Sequence, residues 1–508
     1  MNRREFLKQT CLLGASALLA GTTVSSSVYG GTTTNKPNII FFFVDDMGWQ
    51  DTSEPFHTEV TALNQRYHTP NMERLADSGM KFTQAYACAV CSPSRISLMT
   101  GLNSARHKVT NWTLRPNISP DRPHPTLNLP LWNVNGISPV PDVNRTAYVK
   151  TLPMFLQKNG YRTIHAGKAH FGADGLAGEM PENLGFDVNI AGHCAGGPGS
   201  YYGTNNFSAA FRNGDLIWDI PGLEKYHGQD IYLNEALTIE ALEAVNQAVA
   251  TDKPFYLYMS HYAIHAPWEK DNRYYQKYID AGLDDFDATY ASMIESMDKS
   301  LGDICSHIKA KGIDDNTIIL FMTDNGQPSQ ADRNLPLRGH KLTPYEGGIR
   351  VPAMVKWPGV VEPGSVCNDY IIIEDIFPTI IEMAGLKDCP QIGGKIDGIS
   401  FVPLLRQKPI YPANRAIFWH FPHNYGQEPY TAIRKGDWKL IYFHANQRYE
   451  LYNLAEDISE ANDLFEQRKD IVQRLAEELR LFMIDAEAQM PTYKSSGKPV
   501  PLPGIIDS

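Results

Sequence analysis

The stretch P-N-I-I-F-F-F-V-D-D, residues 37–46, decides the fold. Six apolar residues run without alternation, all β-branched or aromatic, and two aspartates stop them. A run of this kind reads as a strand buried on both faces of a sheet. The pattern recurs three times. Y-R-T-I-H-A leads into G-K-A-H, which places Lys168 and His170. P-F-Y-L-Y-M-S leads into H-Y-A-I-H-A-P, which places His261 and His265. T-I-I-L-F-M leads into T-D-N-G, which places Asp324 and Asn325. Helical patterns lie between the runs: P-N-M-E-R-L-A-D-S-G, the stretch after Cys91, T-L-P-M-F-L-Q-K-N-G, and residues 230–250. Strands alternating with helices predict an α/β fold, a mostly parallel central sheet flanked by helices. Ligands bind beyond the carboxyl ends of such strands. All four runs deliver acid, amide, lysine or histidine at that end, so the four tips are expected to converge on one site.

The C-terminal part changes rhythm. R-A-I-F-W-H-F, Y-T-A-I-R, K-G-D-W-K-L-I-Y-F and Y-E-L-Y-N-L read as strands, with Lys435-Gly436-Asp437 as a hairpin turn. Residues 465–485 read as an amphipathic helix, and the Pro-rich tail from Pro491 is expected to wrap the surface. This predicts a small α+β subdomain with an antiparallel sheet over residues 406–508, after a catalytic domain at 31–405.

The N-terminus reads M-N-R-R-E-F-L-K and then C-L-L-G-A-S-A-L-L-A-G. A twin arginine before a short apolar run resembles a twin-arginine export signal over residues 1–30. The run is shorter than the roughly 20 residues a bilayer span takes. An exported, periplasmic or secreted location is expected, with no stable membrane span. The chain has 508 residues, 43% hydrophobic and 20% charged, with 46 Lys and Arg against 57 Asp and Glu, a net charge of −11. That composition excludes a generally basic nucleic-acid-binding surface. An anionic substrate needs a local positive pocket. The 7 cysteines are too few and too scattered for a disulfide scaffold.

Asp45, Asp46, Asp324 and Asn325 offer only oxygen ligands. Hard donors of this type suit Ca²⁺, and less well Mg²⁺, rather than zinc. Lys168, His170, His265 and Arg95 suit a tetrahedral oxyanion, sulfate or phosphate. Gly167-Lys168 lacks the glycine spacing and the following Ser or Thr of a P-loop. Cys91 precedes Ser92-Pro93, which reads as an N-cap and a proline at the first helical position. A thiol there is expected to be activated by the helix N-terminus, with Arg95 close enough to reach back to it. Cys88 makes a C-x-x-C with Cys91 but lacks thioredoxin-like surroundings, and reads as a buried small residue.

C-S-P-S-R followed by I-S-L-M-T-G resembles the signature of the formylglycine-dependent (type I) sulfatases, whose cysteine is oxidised after translation to an aldehyde. D-D-M-G-W, G-K-A-H, H-A-P, T-D-N-G and L-R-G-H-K-L-T-P-Y-E-G-G-I-R-V-P resemble further motifs of that family. The resemblance extends over nearly the whole chain beyond the leader. It implies an alkaline-phosphatase-like sandwich and a formylglycine (3-oxoalanine) derived from Cys91 by a formylglycine-generating maturation enzyme. It also implies one divalent metal on Asp45, Asp46, Cys91, Asp324 and Asn325. The catalytic set it implies is Cys91, Arg95, Lys168, His170, His265 and Lys341. One hydroxyl of the hydrated aldehyde, held by Ca²⁺ and Arg95, attacks sulfur; the other expels sulfate. Asp324 takes the first proton, His170 helps deprotonate the second hydroxyl, and His265 and Lys341 serve the leaving oxygen.

Export, together with the aromatic-bearing loops H-K-V-T-N-W (107–112) and A-P-W-E-K (266–270), points to a sulfated carbohydrate stacked on an aromatic face, with His107, Trp112 and Trp268 as candidate contacts. The loop at 193–203 is a candidate pocket rim. The expected activity is exo-acting hydrolysis of sulfate esters on galactose or N-acetylgalactosamine units in polysaccharide degradation. Three alternatives stand beside it: a generic arylsulfatase, a phosphatase or phosphodiesterase on the same fold, and a non-catalytic sulfated-glycan-binding protein.

Overall fold

The computed structural model describes residues 36–330, 333–387, 391, 394–410, 412 and 414–504. The export-signal reading for residues 1–30 lies outside them. Nine strands form the central sheet: β1 Asn38–Val44, β2 Met80–Tyr86, β3 Arg162–Gly167, β4 Val188–Ile190, β5 Phe255–Ser260, β6 Thr317–Thr323, β7 Arg350–Lys356, β8 Ser365–Cys367 and β9 Ile371–Ile372. Their order is β8-β2-β7-β6-β1-β5-β3-β4, with β9 also on β2. The four runs read from the sequence are the four adjacent strands β6, β1, β5 and β3, all parallel. Only β7 is reversed, antiparallel to both β2 and β6, with a register shift between Val351 and Ala353. Pro352 sits at that shift, where a residue without an N–H is tolerated.

Every residue of β1, β5 and β6 is buried. Alternate side chains feed two cores, Phe41 and Phe43 on one face and Ile40, Phe42 and Val44 on the other. Helices cover both faces: α1 Pro70–Ser78, α2 Cys91–Thr100, α3 Ser104–His107, α4 Leu152–Lys158, α5 Leu233–Ala250, α6 Asp285–Ala310 and α7 Ile376–Met383. Among the described residues, no helix is long and apolar enough to cross a membrane.

The C-terminal strands β10 Ala416–Phe421, β11 Tyr430–Lys435, β12 Trp438–Phe443 and β13 Arg448–Asn453 form an antiparallel meander. The β11–β12 turn is Gly436-Asp437, with Gly436 at φ 59°. Helix α8, Lys469–Asp485, packs Val472, Leu475 and Leu479 on Ile433, Leu440 and Leu451. The opposite face, with Trp419, Phe421 and Ile441, joins the core of the large sheet. A buried charge network ties the two sheets: Lys439 pairs with Glu346 at 3.0 Å and Glu460 at 2.8 Å. Pro-rich residues beyond 490 return along the surface, where Thr492–Tyr493 pairs with Leu127–Asn128. This is the expected α/β sandwich with its antiparallel subdomain.

Candidate active site

The site lies where β1, β3, β5 and β6 end. Asp45 and Asp46 follow β1, Lys168 and His170 follow β3, His265 follows β5, and Asp324 and Asn325 follow β6. Carboxylate oxygens of Asp45, Asp46 and Asp324 lie within 4.8 Å of one another, all buried. The Asp46 N–H donates to Asp324 at 3.2 Å, and Asp46 sits in the left-handed region at φ 58°. A non-glycine residue there is uncommon and is held by its surroundings.

Two buried oxygens in this cluster, Asp45 Oδ1 and Asn325 Oδ1, accept no hydrogen bond. The Asn325 amide nitrogen donates to Asp46 Oδ1 at 2.7 Å and to the Gly326 carbonyl at 2.9 Å. Buried polar atoms are rarely left unpaired without a reason. Oxygen-only donors, formally trianionic, with two lone-pair-bearing atoms left over, fit a hard divalent cation. Burial and the neighbouring Asp324 push the Asp45 carboxyl well above the usual range, against the pull of Lys168. Burial opposes ionisation of Asp46 as well, but Lys341, His265 and Lys168 outweigh it and hold that carboxyl down. Arg95 and Lys168 do the same for Asp324.

Four cations and rings surround the acids. Lys168 Nζ donates to Asp45 at 2.6 Å, and Lys341 Nζ to Asp46 at 2.6 Å. His265 Nε2 is 3.8 Å from the other Asp46 oxygen. Arg95 is fully buried and lies within electrostatic reach of Cys91. It donates through Nε and Nη2 to Asp324 at 3.0 and 2.7 Å, and through Nη1 to Ser260 at 2.6 Å. The guanidinium fork therefore orients the Asp324 carboxylate.

Cys91 corrects two expectations. Helix α2 begins at Cys91 itself, after an extended Val90, so Ser92 is not the N-cap. Pro93 lies within the first turn, where backbone N–H groups have no intrahelical acceptor to lose. The Ser92 hydroxyl instead accepts from the Thr113 N–H at 3.3 Å. Burial raises the Cys91 thiol although Lys168 and Lys341 pull the other way, so the helix terminus does not yield an activated thiolate. Cys88 is buried among serines of the same segment, with its thiol pushed up to about 12 by burial and by Glu374. Cys88, Cys91, Cys194, Cys305 and Cys367 are all free.

The two histidines have fixed tautomers. His170 Nε2 donates to the Thr113 carbonyl at 2.7 Å, and its buried Nδ1 has no partner. Burial, Lys168 and Arg95 push this ring well below the usual range. His265 Nδ1 donates to the Ala266 carbonyl at 2.8 Å, and burial and Lys341 push the ring down to about 3. Loop 193–203 presses on both. A Cβ on Gly196 would lie 2.3 Å from the His170 ring, and one on Gly197 2.7 Å from His265. Only glycine permits that approach.

Above Cys91 opens a cavity of about 310 Å³, lined by Trp112, Trp218, Trp268, Tyr425 and His340 as well as Asp46, His170, His265 and Lys341. Trp112 and Trp268 are where an aromatic wall was expected. His107 is not part of this lining. It is buried, sits 3.1 Å from the Ser97 hydroxyl, and accepts from the Val109 N–H. His261, at the tip of β5, is likewise internal, 2.9 Å from Ser300. Sequence reasoning did not single out Ser260, Thr113, Trp218, His340 or Tyr425.

This fold, with an acid-amide cluster, two lysines and two histidines around one helix N-terminus, defines a hydrolase of tetrahedral oxyanion esters in the alkaline phosphatase superfamily. The sulfatase family model matches residues 37–386, and that of the N-sulphoglucosamine sulphohydrolase C-terminal region matches residues 340–485. The chain belongs to the formylglycine-dependent sulfatases and is a sulfuric ester hydrolase. It is 28% identical to a sulfatase of Formosa agariphila over 96% of both chains. It is also 28% identical to the N-acetylgalactosamine-6-sulfatase of Mus musculus, over 83% of this chain and 75% of that one. The solved structure of Ps i-CgsB in complex with k-i-k-neocarrahexaose superposes with a TM-score of 0.71, at 26% identity, over 89% of this chain and 93% of that one.

Proposed function

We propose that this enzyme removes sulfate from the end of a sulfated saccharide, with galactose or N-acetylgalactosamine units as its substrates. The observation that carries the reading is the placement of Cys91 at the floor of an aromatic-walled cavity, beside the acid cluster and the two lysines. A volume of about 310 Å³ is small for a ligand pocket and favours one terminal unit over a chain passing through. The names of the relatives and the saccharide bound to the structural neighbour support a sulfated glycan. In this reading residues 1–30 are a twin-arginine-type leader of an exported protein, 31–405 carry catalysis, and 406–508 complete the pocket.

Asp45, Asp46, Asp324, Asn325 and residue 91 would hold Ca²⁺, which supplies a positive charge for the sulfate oxygens. A maturation enzyme would convert Cys91 to formylglycine, whose hydrate supplies the hydroxyl nucleophile that a buried, protonated thiol does not. The chain's own groups do the rest. Lys168 and Lys341, now paired with Asp45 and Asp46, stand ready to bind sulfate oxygens. His170 has the form of a base: the Thr113 carbonyl holds its Nε2 proton and leaves the lone pair on Nδ1. Lys341, kept charged by Asp46 despite burial, and His265 serve the leaving oxygen. Arg95 keeps Asp324 oriented and ionised.

The test is the mass of the peptide carrying Cys91, from protein made in its native host, followed by a screen of defined sulfated saccharides. An aldehyde mass with release of sulfate from a terminal unit is expected. An intact thiol in active protein would overturn the formylglycine mechanism. Release of phosphate, but not sulfate, from matched esters would move the reading to a phosphatase.

A further inference from the structure

Two aromatic rings of the cavity wall come from distant parts of the chain. Trp112 lies in the segment after α3, and Tyr425 in the loop between β10 and β11. Their rings meet edge to face with centroids 5.9 Å apart, and both line the cavity above Cys91. Two residues before each stand Thr110 and His423, and these are bonded to each other: His423 Nε2 is 2.8 Å from the Thr110 hydroxyl. His423 Nδ1 faces both oxygens of Asp121, at 3.1 and 3.0 Å. A carboxylate only accepts, so Nδ1 carries a proton. Asp121 in turn accepts from Ser119 at 2.7 Å.

Backbone bonds close the same seam. The Arg122 N–H donates to the Asn424 carbonyl at 2.9 Å, and the Asn424 amide returns bonds to the Arg122 and Pro123 carbonyls at 3.2 and 3.1 Å. The His423 ring is wholly buried, with Trp132 and Phe421 set edge-on at 5.2 and 5.0 Å. Apolar packing alone holds many loops. An ionisable pair with one buried and one half-buried member adds register, because a slip of one residue leaves both members unpaired.

We propose that the Asp121–His423–Thr110 clasp is a positioning device that holds Trp112 and Tyr425 as one wall for a neutral sugar ring. This rests on the saccharide reading above and adds the chemistry of the ring. Apart from the groups already placed at the sulfate end, the described lining carries no acid, lysine or arginine. His340 is the one further imidazole in the described lining, and its Nδ1 donates to the Lys341 carbonyl at 2.8 Å. Nothing in that lining recognises a carboxylate or a second sulfate on the same ring. Aromatic faces instead recognise the C–H face of a pyranose. Asp121, His423 and Thr110 touch no substrate; they act through the two rings.

The experiment compares wild type with Asp121→Asn, His423→Gln and Trp112→Ala on a neutral monosulfated saccharide, with inorganic sulfate as a probe of the sulfate end alone. All three variants are expected to raise KM about tenfold. The two clasp variants keep kcat within about threefold, with the inhibition constant of sulfate unchanged. An unchanged KM overturns the clasp, and so does a parallel loss of kcat and sulfate affinity, which would mark a general structural role. Asp121→Asn keeps the shape of the side chain and decides the matter should His423→Gln fail to fold. Tighter binding of a saccharide whose sulfated ring also bears a carboxylate overturns the neutral-ring assignment. If wild type cleaves an aryl sulfate and no saccharide, the functional reading falls, and amide exchange decides the clasp. Faster exchange in both 109–114 and 422–428 of Asp121→Asn supports it; faster exchange in only one segment overturns it.

Discussion

Lys341 and His265 stand on opposite oxygens of Asp46, at 2.6 and 3.8 Å, and differ in charge. Asp46 keeps the lysine protonated, whereas burial and that lysine keep the histidine neutral. A bound sulfate ester brings negative charge to the pair and raises the histidine's proton affinity. Both groups can then serve a poor leaving oxygen, which a good leaving group does not need. His265→Ala is expected to cost about 10²–10⁴-fold on a saccharide sulfate and far less on nitrophenyl sulfate. Steady-state rates on the two substrates check this, and equal losses would reduce His265 to a sulfate contact. Residues of this kind were legible because they lie just beyond buried strands: Asp45, Lys168 and Asp324 follow their apolar runs directly, and His265 stands in the loop that follows β5. Tyr425 and His423 were not, because their meaning depends on Trp112 and Asp121, some three hundred residues earlier. His107 misled for a related reason. A histidine beside a tryptophan motif gives no sign that its ring faces inward to Ser97.

At the scale of elements, the strands read well and the helix ends read poorly. An unbroken β-branched run has few alternatives, whereas Val90-Cys91-Ser92-Pro93 offers several registers for a helix start. The observed one is set by the extended Val90 and by Ser92 bonding to Thr113, contacts with no local signature. Strand β7 was equally hidden, since R-V-P-A-M-V-K reads only as the end of a motif. The turn that leads into α7 carries a testable oddity. Glu374 is buried, accepts from Asn103 at 3.0 Å, and has its carboxyl pushed up to about 8 by burial and by Asp375. Asn103 is the N-cap of α3. The folded state therefore holds this proton longer than the unfolded chain, whose glutamate titrates near 4.5. The contribution to stability is complete below about pH 4.5 and is lost as pH rises through about 8. Glu374→Gln keeps the shape and the neutral state. It is expected to match wild type at pH 5 and to exceed it by on the order of a few kcal/mol at pH 9. Denaturation midpoints at pH 5, 7 and 9 read the widening gap, and a gap independent of pH would refute it.

Composition placed the whole molecule among large globular proteins and excluded a generally basic surface, the alternation of strand and helix patterns made it α/β, and the C-terminal strands were visible as a separate rhythm. What the sequence could not convey is that the small sheet is buried on both faces and lends Tyr425 to the pocket of the large one. The molecule as a whole also carries the energetics of its acid cluster. Three carboxylates are buried within 4.8 Å, and two acceptor oxygens of the cluster accept no hydrogen bond. Chelation with EDTA is expected to lower the melting temperature of the intact enzyme. Ca²⁺ at a thousandfold excess over Kd is expected to restore it by stabilising the folded state by about 4 kcal/mol. Mg²⁺ at equal concentration is expected to restore less, because it demands tighter octahedral geometry and gives up water reluctantly. The effect has a definite pH sense. Burial and Asp324 raise the Asp45 carboxyl, so the metal-free site takes up a proton that a cation must displace. Rescue by Ca²⁺ should therefore shrink as pH falls, with protons released on binding. Calorimetric titration in two buffers of different ionisation enthalpy measures that release. A melting temperature indifferent to EDTA and Ca²⁺ would mean that the cluster holds no cation, and that the lysine pairs seen here are its resting state.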